Sequence, residues 1–374
     1  MHAARQHAPT QAAEGGPALQ LVGVERSYGT YHALHGVDLT VEAGSFVSLL
    51  GPSGSGKTTM LRLIAGFERP TAGRILIDGR DMTGVPAHQR PVGVVFQNLA
   101  LFPHLTVGGN VAFGLEVRRT PRHEIARRVA EALAMVDLPG LEGRRVHEMS
   151  GGQRQRVALA RALVLHPAVL LLDEPLSALD LKLRQMLQDE LKQIQRRSGA
   201  TFVFVTHDQD EALRLSDRIA VVNRGRLEQV GTASEIYDRP CSAFVARFVG
   251  DTNMLPGRIA AAGPDRVEIA LDGIDRTLDA PCHVAVASGS LAALSIRPEN
   301  LCLGAADGLP AIVTDVTYAG ARIRYALQVT GRSLLADVAV RPGSGDRLQP
   351  GAATTVSWAA ADSVIVPIDE GQLA

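Results

Sequence analysis

One segment limits the possible folds more than any other. The apolar run Phe46–Leu50 leads into Gly51-Pro52-Ser53-Gly54-Ser55-Gly56-Lys57-Thr58-Thr59, and an apolar helical period through Leu61 and Ile64 follows. The spacing is G-x-x-x-x-G-K-[ST], and it stands in the strand–loop–helix setting that this pattern requires. Glycines here let successive backbone N–H groups turn inward around phosphate oxygens, and the helix N-terminus adds a positive dipole. Lys57 is expected to reach the β- and γ-phosphates of a nucleotide and the Thr58 hydroxyl to ligate Mg²⁺. Gly51, Ser53, Gly54, Ser55, Gly56 and Thr59 are expected to line the loop. A buried strand that delivers such a loop implies an open, mostly parallel α/β sheet.

A second site has the same logic. Ala168-Val169-Leu170-Leu171-Leu172 runs into Asp173-Glu174-Pro175, so a central strand would carry two acids to its C-terminal edge, where ligands of α/β sheets sit. Asp173 is the expected Mg²⁺ carboxylate, and Glu174 is placed to polarise an attacking water.

The texture of the 374 residues divides in two. From about Leu19 to Val245 short apolar runs (Phe46–Leu50, Gly93–Phe96, Ala168–Leu172, Thr201–Thr206, Arg218–Val222) read as strands buried on both faces. Helical periods lie between them. In 181–197, Leu183, Leu187, Leu191 and Ile194 form one apolar stripe, and Ser198-Gly199 supplies a stop. After about Asp251 helical periods vanish and short alternating segments take over, at 311–318, 323–329, 333–340 and 363–366, which predicts a small β-barrel or sandwich. The expected organisation is a disordered tail at 1–17, a nucleotide-binding domain at 18–245 with a helical subdomain at about 100–160, and an all-β domain at 246–374.

Composition excludes several alternatives. Lys and Arg number 38 against 39 Asp and Glu, a formal net charge of −1, which argues against a chain that grips nucleic acid through a basic face. Residues 251–374 contain no Lys and only Trp358, Tyr318 and Tyr325 as aromatics, poor material for a nucleic-acid-binding module. Although 46% of residues are hydrophobic, no run approaches the ~18 apolar residues of a spanning helix. Three scattered cysteines (Cys241, Cys282, Cys302) without a CxxC pair fit neither a disulfide scaffold nor a zinc ribbon, and suit a reducing cytoplasm.

Further motifs carry a family resemblance over nearly the whole chain. Met149-Ser150-Gly151-Gly152-Gln153 resembles the signature motif of ABC ATPases, a short loop opening a helix at Arg154–Leu165, with Met149 where Leu is usual. The other elements of that family follow in order. Gln97 resembles the Q-loop glutamine, which touches Mg²⁺ or the water. Ser177-Ala178-Leu179-Asp180 resembles the D-loop, His207 the switch histidine at the γ-phosphate, and Tyr28 the aromatic that stacks on adenine. The resemblance implies a P-loop NTPase fold, ATP and Mg²⁺ as ligands, and a head-to-tail dimer. In that dimer Ser150, Gly151, Gly152, Gln153 and Asp180 complete the site of the other copy.

A single cassette with only about fifty residues between Gln97 and Ser150 leaves no room for the coiled coil of repair members, and translation members carry two cassettes. Exporters normally fuse the ATPase to membrane helices. The ATPase subunit of an importer is therefore expected. The segment Leu99–Val107 would line the groove that receives the permease, with plain subdomain packing as the alternative. Residues Gly231–Leu255 and Ile296-Arg297-Pro298-Glu299 resemble the linker and transport-associated OB domain of importers for polyamines, ferric iron, sulfate and sugars. Gly51–Glu68 and Val94–Leu115 look most like the spermidine/putrescine type, with Leu99 where Tyr is usual. Ferric iron, sulfate, phosphonate or sugar import is the alternative, and a soluble non-transport ATPase is a further one. The partners so implied are a second copy, integral-membrane permease subunits and, indirectly, a solute-binding protein, with no nucleic acid. The place implied is the cytoplasmic face of the inner membrane, peripherally attached.

Overall fold

A computed structural model describes residues 16–177, 181–263, 266–274, 277–340 and 347–368. The expected tail falls almost wholly outside the described residues, as does Asp180. The chain divides into two compact units, Met1–Ala233 and Ser234–Ala374, where the sequence reading sets the boundary at 245/246.

In the first unit the elements are β1 (Pro17–Tyr28), β2 (Tyr31–Glu42), β3 (Phe46–Leu50), α1 (Lys57–Ala65), β4 (Ala72–Ile77), β5 (Arg80–Asp81) and β6 (Val92–Val95). There follow α2 (Val107–Val117), α3 (Arg122–Met135), α4 (Gly151–Leu163), β7 (Val169–Asp173), α5 (Leu181–Ser198), β8 (Thr201–Thr206), α6 (Gln209–Leu215), β9 (Arg218–Asn223) and β10 (Arg226–Gly231). Strands β1, β2, β4 and β5 make an antiparallel sheet in the order β2-β1-β4-β5, which the sequence pattern does not separate from the α/β sheet. The latter runs β10-β9-β3-β8-β7-β6 and is parallel except for the edge hairpin β9–β10.

The apolar strands fit this position because both faces are covered. Along β8, Phe202 and Phe204 enter one core with Phe46, Leu170, Leu172 and residues of α2–α5. Val203 and Val205 enter the other, with Val169, Leu171, Val47, Leu49, residues of α1 and the antiparallel sheet. Helices α2, α3 and α4 form the subdomain expected near 100–160. The register pairs Leu50 with Thr206, Asp173 with Val205, and Val95 with Leu172. The ends of β6, β7, β8 and β3 therefore lie side by side along one edge of the sheet.

The second unit adds α7 (Ala233–Asp238), α8 (Ala243–Phe248), β11 (Asn253–Ala262), β12 (Arg266–Leu271), β13 (Thr277–Pro281), β14 (Leu291–Ile296), β15 (Cys302–Leu303), β16 (Leu309–Tyr318), β17 (Arg322–Val329), β18 (Arg332–Ala339), β19 (Ala353–Ser357) and β20 (Ser363–Pro367). Two antiparallel sheets, β13-β12-β11-β14-β20 and β15-β19-β16-β17-β18, share one core through Leu255, Ile269, Leu294, Val313, Leu327 and Val356. Alternation along β17 puts Ile323, Tyr325, Leu327 and Val329 inside, as the period of two requires. Among the described residues no helix is long and apolar enough to cross a membrane.

Arg297 explains its own place in this unit. Its guanidinium donates to the carbonyls of Ala246 (2.9 Å), Asp251 (3.1 Å), Gly250 (3.3 Å) and Tyr237 (2.7 Å). It also lies 4.0 Å from the Tyr237 ring centroid. Burial and the hydrogen bond to Glu299 push the Tyr237 hydroxyl up to about 12, so it stays a donor. Replacing the planar five-donor fork strands several buried carbonyls at once. Arg297→Ala is expected to cost the unit about 3 kcal/mol, read as a lower denaturation midpoint, with Arg297→Lys recovering little of it.

Candidate active site

Gly51 to Gly56 form a loop whose shape only glycine permits at two points. Gly54 and Gly56 have φ of +77° and +108°, a region closed to most L residues. At Gly51 the reason is contact, since a Cβ there would stand 2.1 Å from the Val222 carbonyl oxygen. The loop is also held from outside. The turn Arg224-Gly225 joins β9 to β10 with φ of +47° and +73°, the double left-handed geometry of a tight hairpin. Gly225 N–H donates to Ser55 O (2.8 Å), while Gly225 O accepts from His35 N–H (2.9 Å). Sequence reasoning missed Gly225. The signal was present as Asn-Arg-Gly between two apolar runs, but nothing in it says which loop the turn will touch.

Lys57 is buried, and its ammonium donates to Gly51 O (2.7 Å) and Pro52 O (2.9 Å). Burial pulls the Lys57 pKa below its ordinary value, partly opposed by Glu174 and Asp173. The Ser55 hydroxyl is buried with no hydrogen-bond partner. Ser53, Gly54 and Thr58 are exposed on the other side, with Thr59 half-buried behind them. A desolvated cation, an unpaired donor and open glycine amides fit an oligophosphate. Thr58, Asp173 and Gln97 are oxygen donors, which suits Mg²⁺. Among the described residues no group of three or more His, Cys, Asp or Glu side chains is placed to hold a metal ion.

The carboxylates sit at the end of β7. Burial raises the Asp173 pKa first and Glu174 adds to it, while Arg62 and Lys57 pull it down. Glu174 has a φ of +44°, costly for a non-glycine residue, and its N–H donates to Val205 O (3.1 Å). His207 Nδ1 lies 3.3 Å from Glu174 Oε1. A cavity of about 40 Å³ is lined by Glu174, Ser177, His207, Asp208 and Arg184, room for about one water. Gln97 Nε2 donates to Ser177 Oγ (3.0 Å), which donates to the Glu174 main-chain carbonyl (2.9 Å). Fold and hydrogen bonds thus bring Gln97, Ser177, Glu174 and His207 together.

The signature segment behaves differently. Ser150 caps α4 in a reciprocal box, Gln153 N–H to Ser150 Oγ (3.3 Å) and Ser150 N–H to Gln153 Oε1 (3.0 Å). The helix therefore starts at Gly151 rather than Arg154. The S-x-x-Q spacing could have signalled this. A Cβ at Gly152 would stand 3.8 Å from the side chains of Leu183 and Leu187, whereas one at Gly151 would meet nothing within 4 Å. Met149 is buried in the core beside α4, where an apolar side chain of leucine-like volume suffices. None of the described hydrogen bonds of Ser150 or Gln153 reaches the phosphate loop. Tyr28 ends β1 and donates its hydroxyl to Glu68.

Arg161 is a second residue that sequence reasoning missed. From α4 it donates to Ala100 O (2.6 Å) and Leu99 O (2.7 Å). These two residues stand at φ of +45° and +60° just after Gln97. The signature helix is therefore tied to the Gln97 segment by one side chain.

Residues 34–177 match the ABC transporter family model, and residues 294–366 match the TOBE domain model. The spermidine/putrescine import ATP-binding protein of Acidothermus cellulolyticus is 52% identical over 88% of this chain and 88% of its own. That of Pseudomonas aeruginosa is 47% identical over 94% of this chain and 97% of its own. Among solved structures, cbiO1 of Clostridium perfringens, part of the ABC transporter complex cbiONQ, is similar with a TM-score of 0.55 and 31% identity, over 59% of this chain and 90% of that one. The ATP-binding cassette MJ0796, a post-hydrolysis dimer bound to ADP and Pi, gives 0.50 and 34%, over 57% and 98%.

Two outcomes are expected. A Cβ at Gly225 would stand 2.4 Å from Ala33 O, so Gly225→Ala should weaken nucleotide binding by roughly tenfold through the displaced Ser55 contact, measured by calorimetry. Asp173 has a raised pKa, so between the ordinary carboxylate value and the raised one the native state holds the extra proton. Stability therefore falls as pH rises through that window. Asp173→Asn should raise the melting temperature of the nucleotide-free protein at pH 7, with the gain shrinking as pH drops toward the ordinary carboxylate range.

Proposed function

The chain belongs to the ABC transporter family, with the spermidine/putrescine import ATP-binding proteins among its relatives, and we propose that it hydrolyses ATP to drive polyamine uptake through a separate permease. The observation that carries the catalytic half is the Glu174–His207 pair, 3.3 Å apart, and the small cavity that both residues line. The polyamine half rests on kinship with import proteins of that name along most of the chain.

The residues divide the work. Amides of Gly51–Gly56 and the Lys57 ammonium bind the phosphates, Lys57 exchanging loop carbonyls for a charged partner that offsets its desolvation. Thr58, Asp173 and Gln97 would hold Mg²⁺, which neutralises charge developing on the transferred phosphoryl group. Glu174 accepts a hydrogen bond from the attacking water, and the His207 ring, in contact with Glu174, keeps that carboxylate oriented and faces the γ-phosphate. Tyr28 offers its ring to the base. Catalysis is positioning plus charge stabilisation around an in-line displacement.

Ser150, Gly151, Gly152 and Gln153 serve the nucleotide of a second copy. Their hydrogen bonds stay within their own helix cap, which leaves Gly151 and the helix N-terminus available to an incoming phosphate. Asp180 joins them in this reading. Two chains then enclose two ATP molecules head to tail, and closure moves permease subunits seated against 99–107. The chain sits peripherally on the cytoplasmic face of the inner membrane, and a solute-binding protein delivers cargo to the permease. The cassette and the β domain act as separate parts.

Glu174→Gln should lower ATP turnover by about 10²–10⁴-fold while retaining ATP binding, and ATP should drive it into a dimer on size-exclusion chromatography. Near-normal turnover would remove Glu174 from its role. Uptake of labelled spermidine and putrescine by cells lacking this chain, with and without complementation, tests the cargo; restored sulfate or maltose uptake without polyamine uptake would redirect it.

A further inference from the structure

Around Tyr28, at the end of β1, stands a cluster of side chains that the proposed reaction does not otherwise use. The Arg26 guanidinium lies 4.4 Å from the centroid of the Tyr28 ring. The same group donates to Arg69 O (2.9 Å), and its Nε stands 3.2 Å from Glu68 Oε2. Glu68 accepts the Tyr28 hydroxyl, and Arg62 Nη1 is 3.6 Å from its other oxygen. Thr71 fastens the surroundings, its Oγ1 accepting from Ser27 N–H (3.0 Å) and its own N–H donating to Glu25 O (2.8 Å). The Glu68 side chain is only 18% exposed, whereas Tyr28 remains 41% exposed.

These contacts fix a ring that would otherwise turn freely in solvent. A cation covers one face, attracted by the ring quadrupole, and a carboxylate pins the hydroxyl. A base can then stack only on the face Arg26 leaves open, and ring ordering is completed before the nucleotide arrives. Preorganisation of this kind raises affinity without a new contact. The scaffold is shared with the phosphate site. Helix α1 starts at Lys57 and ends at Ala65, and the left-handed cap Gly66 (φ +81°) turns the chain toward Glu68. One helix of about 13 Å thus anchors the phosphate loop at one end and the ring clamp at the other.

We infer that Arg26 and Glu68 are positioning residues that hold Tyr28 for the nucleobase, setting affinity for the base half of ATP without touching its phosphates. The inference rests on Tyr28 being the base-stacking residue. The test uses the full chain and two probes, ATP and inorganic tripolyphosphate, which lacks a base.

Arg26→Met keeps the alkyl stem and removes the charge. Its Kd for ATP should rise about three- to tenfold, the span of a cation–π contact, with tripolyphosphate affinity unchanged. In hydrolysis KM should rise with kcat unaltered, and Arg26→Lys should restore part of the loss. Glu68→Gln keeps an acceptor for the hydroxyl but loses the ion pair; a weaker ATP affinity is expected there too, and no change removes Glu68. Equal loss of both probes in Arg26→Met would make Arg26 a fold-maintaining residue and overturn the inference. Unchanged ATP affinity in Arg26→Met, with Tyr28→Ala weakened, overturns it while leaving the stacking reading intact. Unchanged ATP affinity in Tyr28→Ala overturns both.

Discussion

The close approach of three backbones around Gly51, Gly56 and Gly225 is the constraint on which the rest of the site depends. Side chains at these points would collide with Val222 O, Ala33 O and the Leu34 side chain, so the phosphate loop lies against β9 and β2 with no side chain between. The Gly225 N–H to Ser55 O bond then fixes the loop from the far side of the hairpin. A loop so held presents its amides without reorganising, the condition under which fixed dipoles stabilise charge best.

Around that loop the structure gathers charge it has only partly compensated. Lys57 is desolvated, Asp173 is held above its usual carboxylate range, and Glu174 adopts a left-handed backbone conformation. Burial opposes the charge on Lys57 and on Asp173, costs that an oligophosphate with a divalent cation would offset. The bonds from Gln97 to Ser177 to Glu174 and the Arg161 grip on Leu99 and Ala100 join this region to the signature helix. The Glu174 main-chain carbonyl is thus tied to Gln97 through Ser177, and the chain just beyond Gln97 is tied to α4 through Arg161.

The β unit has its own organising residue in Arg297, which gathers carbonyls from α7, α8 and the chain beyond them. Its hold on Tyr237 and Ala246 explains why the compact division falls after Ala233, before the residue at which the hydrophobic texture changes. Texture marks where strands begin. Compactness marks where contacts change allegiance, and two short helices before the strands belong with the strands.

Much of the molecule was legible in the sequence. Strands 46–50 and 201–206 came out as read, because a strand buried on both faces is a continuous apolar run. The helix at 181–198 was visible as a stripe, and the β texture after residue 251 as alternation. The antiparallel sheet of β1, β2, β4 and β5 was not, because its bulged strands blur the period of two. The α4 start was misplaced by three residues because glycines argue against a helix unless the cap box is recognised.

By itself the sequence determined which chemistry is possible, since a glycine-rich loop before Lys57 and two acids after an apolar run require those residue types in that order. Only the tertiary structure decided which of them meet. Strand order places β8 and β7 between the loop and Gln97, bringing together groups as distant in sequence as Gln97 and His207. The Gly225 support, the Arg161 grip and the Arg26–Glu68 hold on Tyr28 are contacts between residues far apart in sequence. Local pattern cannot encode them, because each depends on where separate elements come to rest.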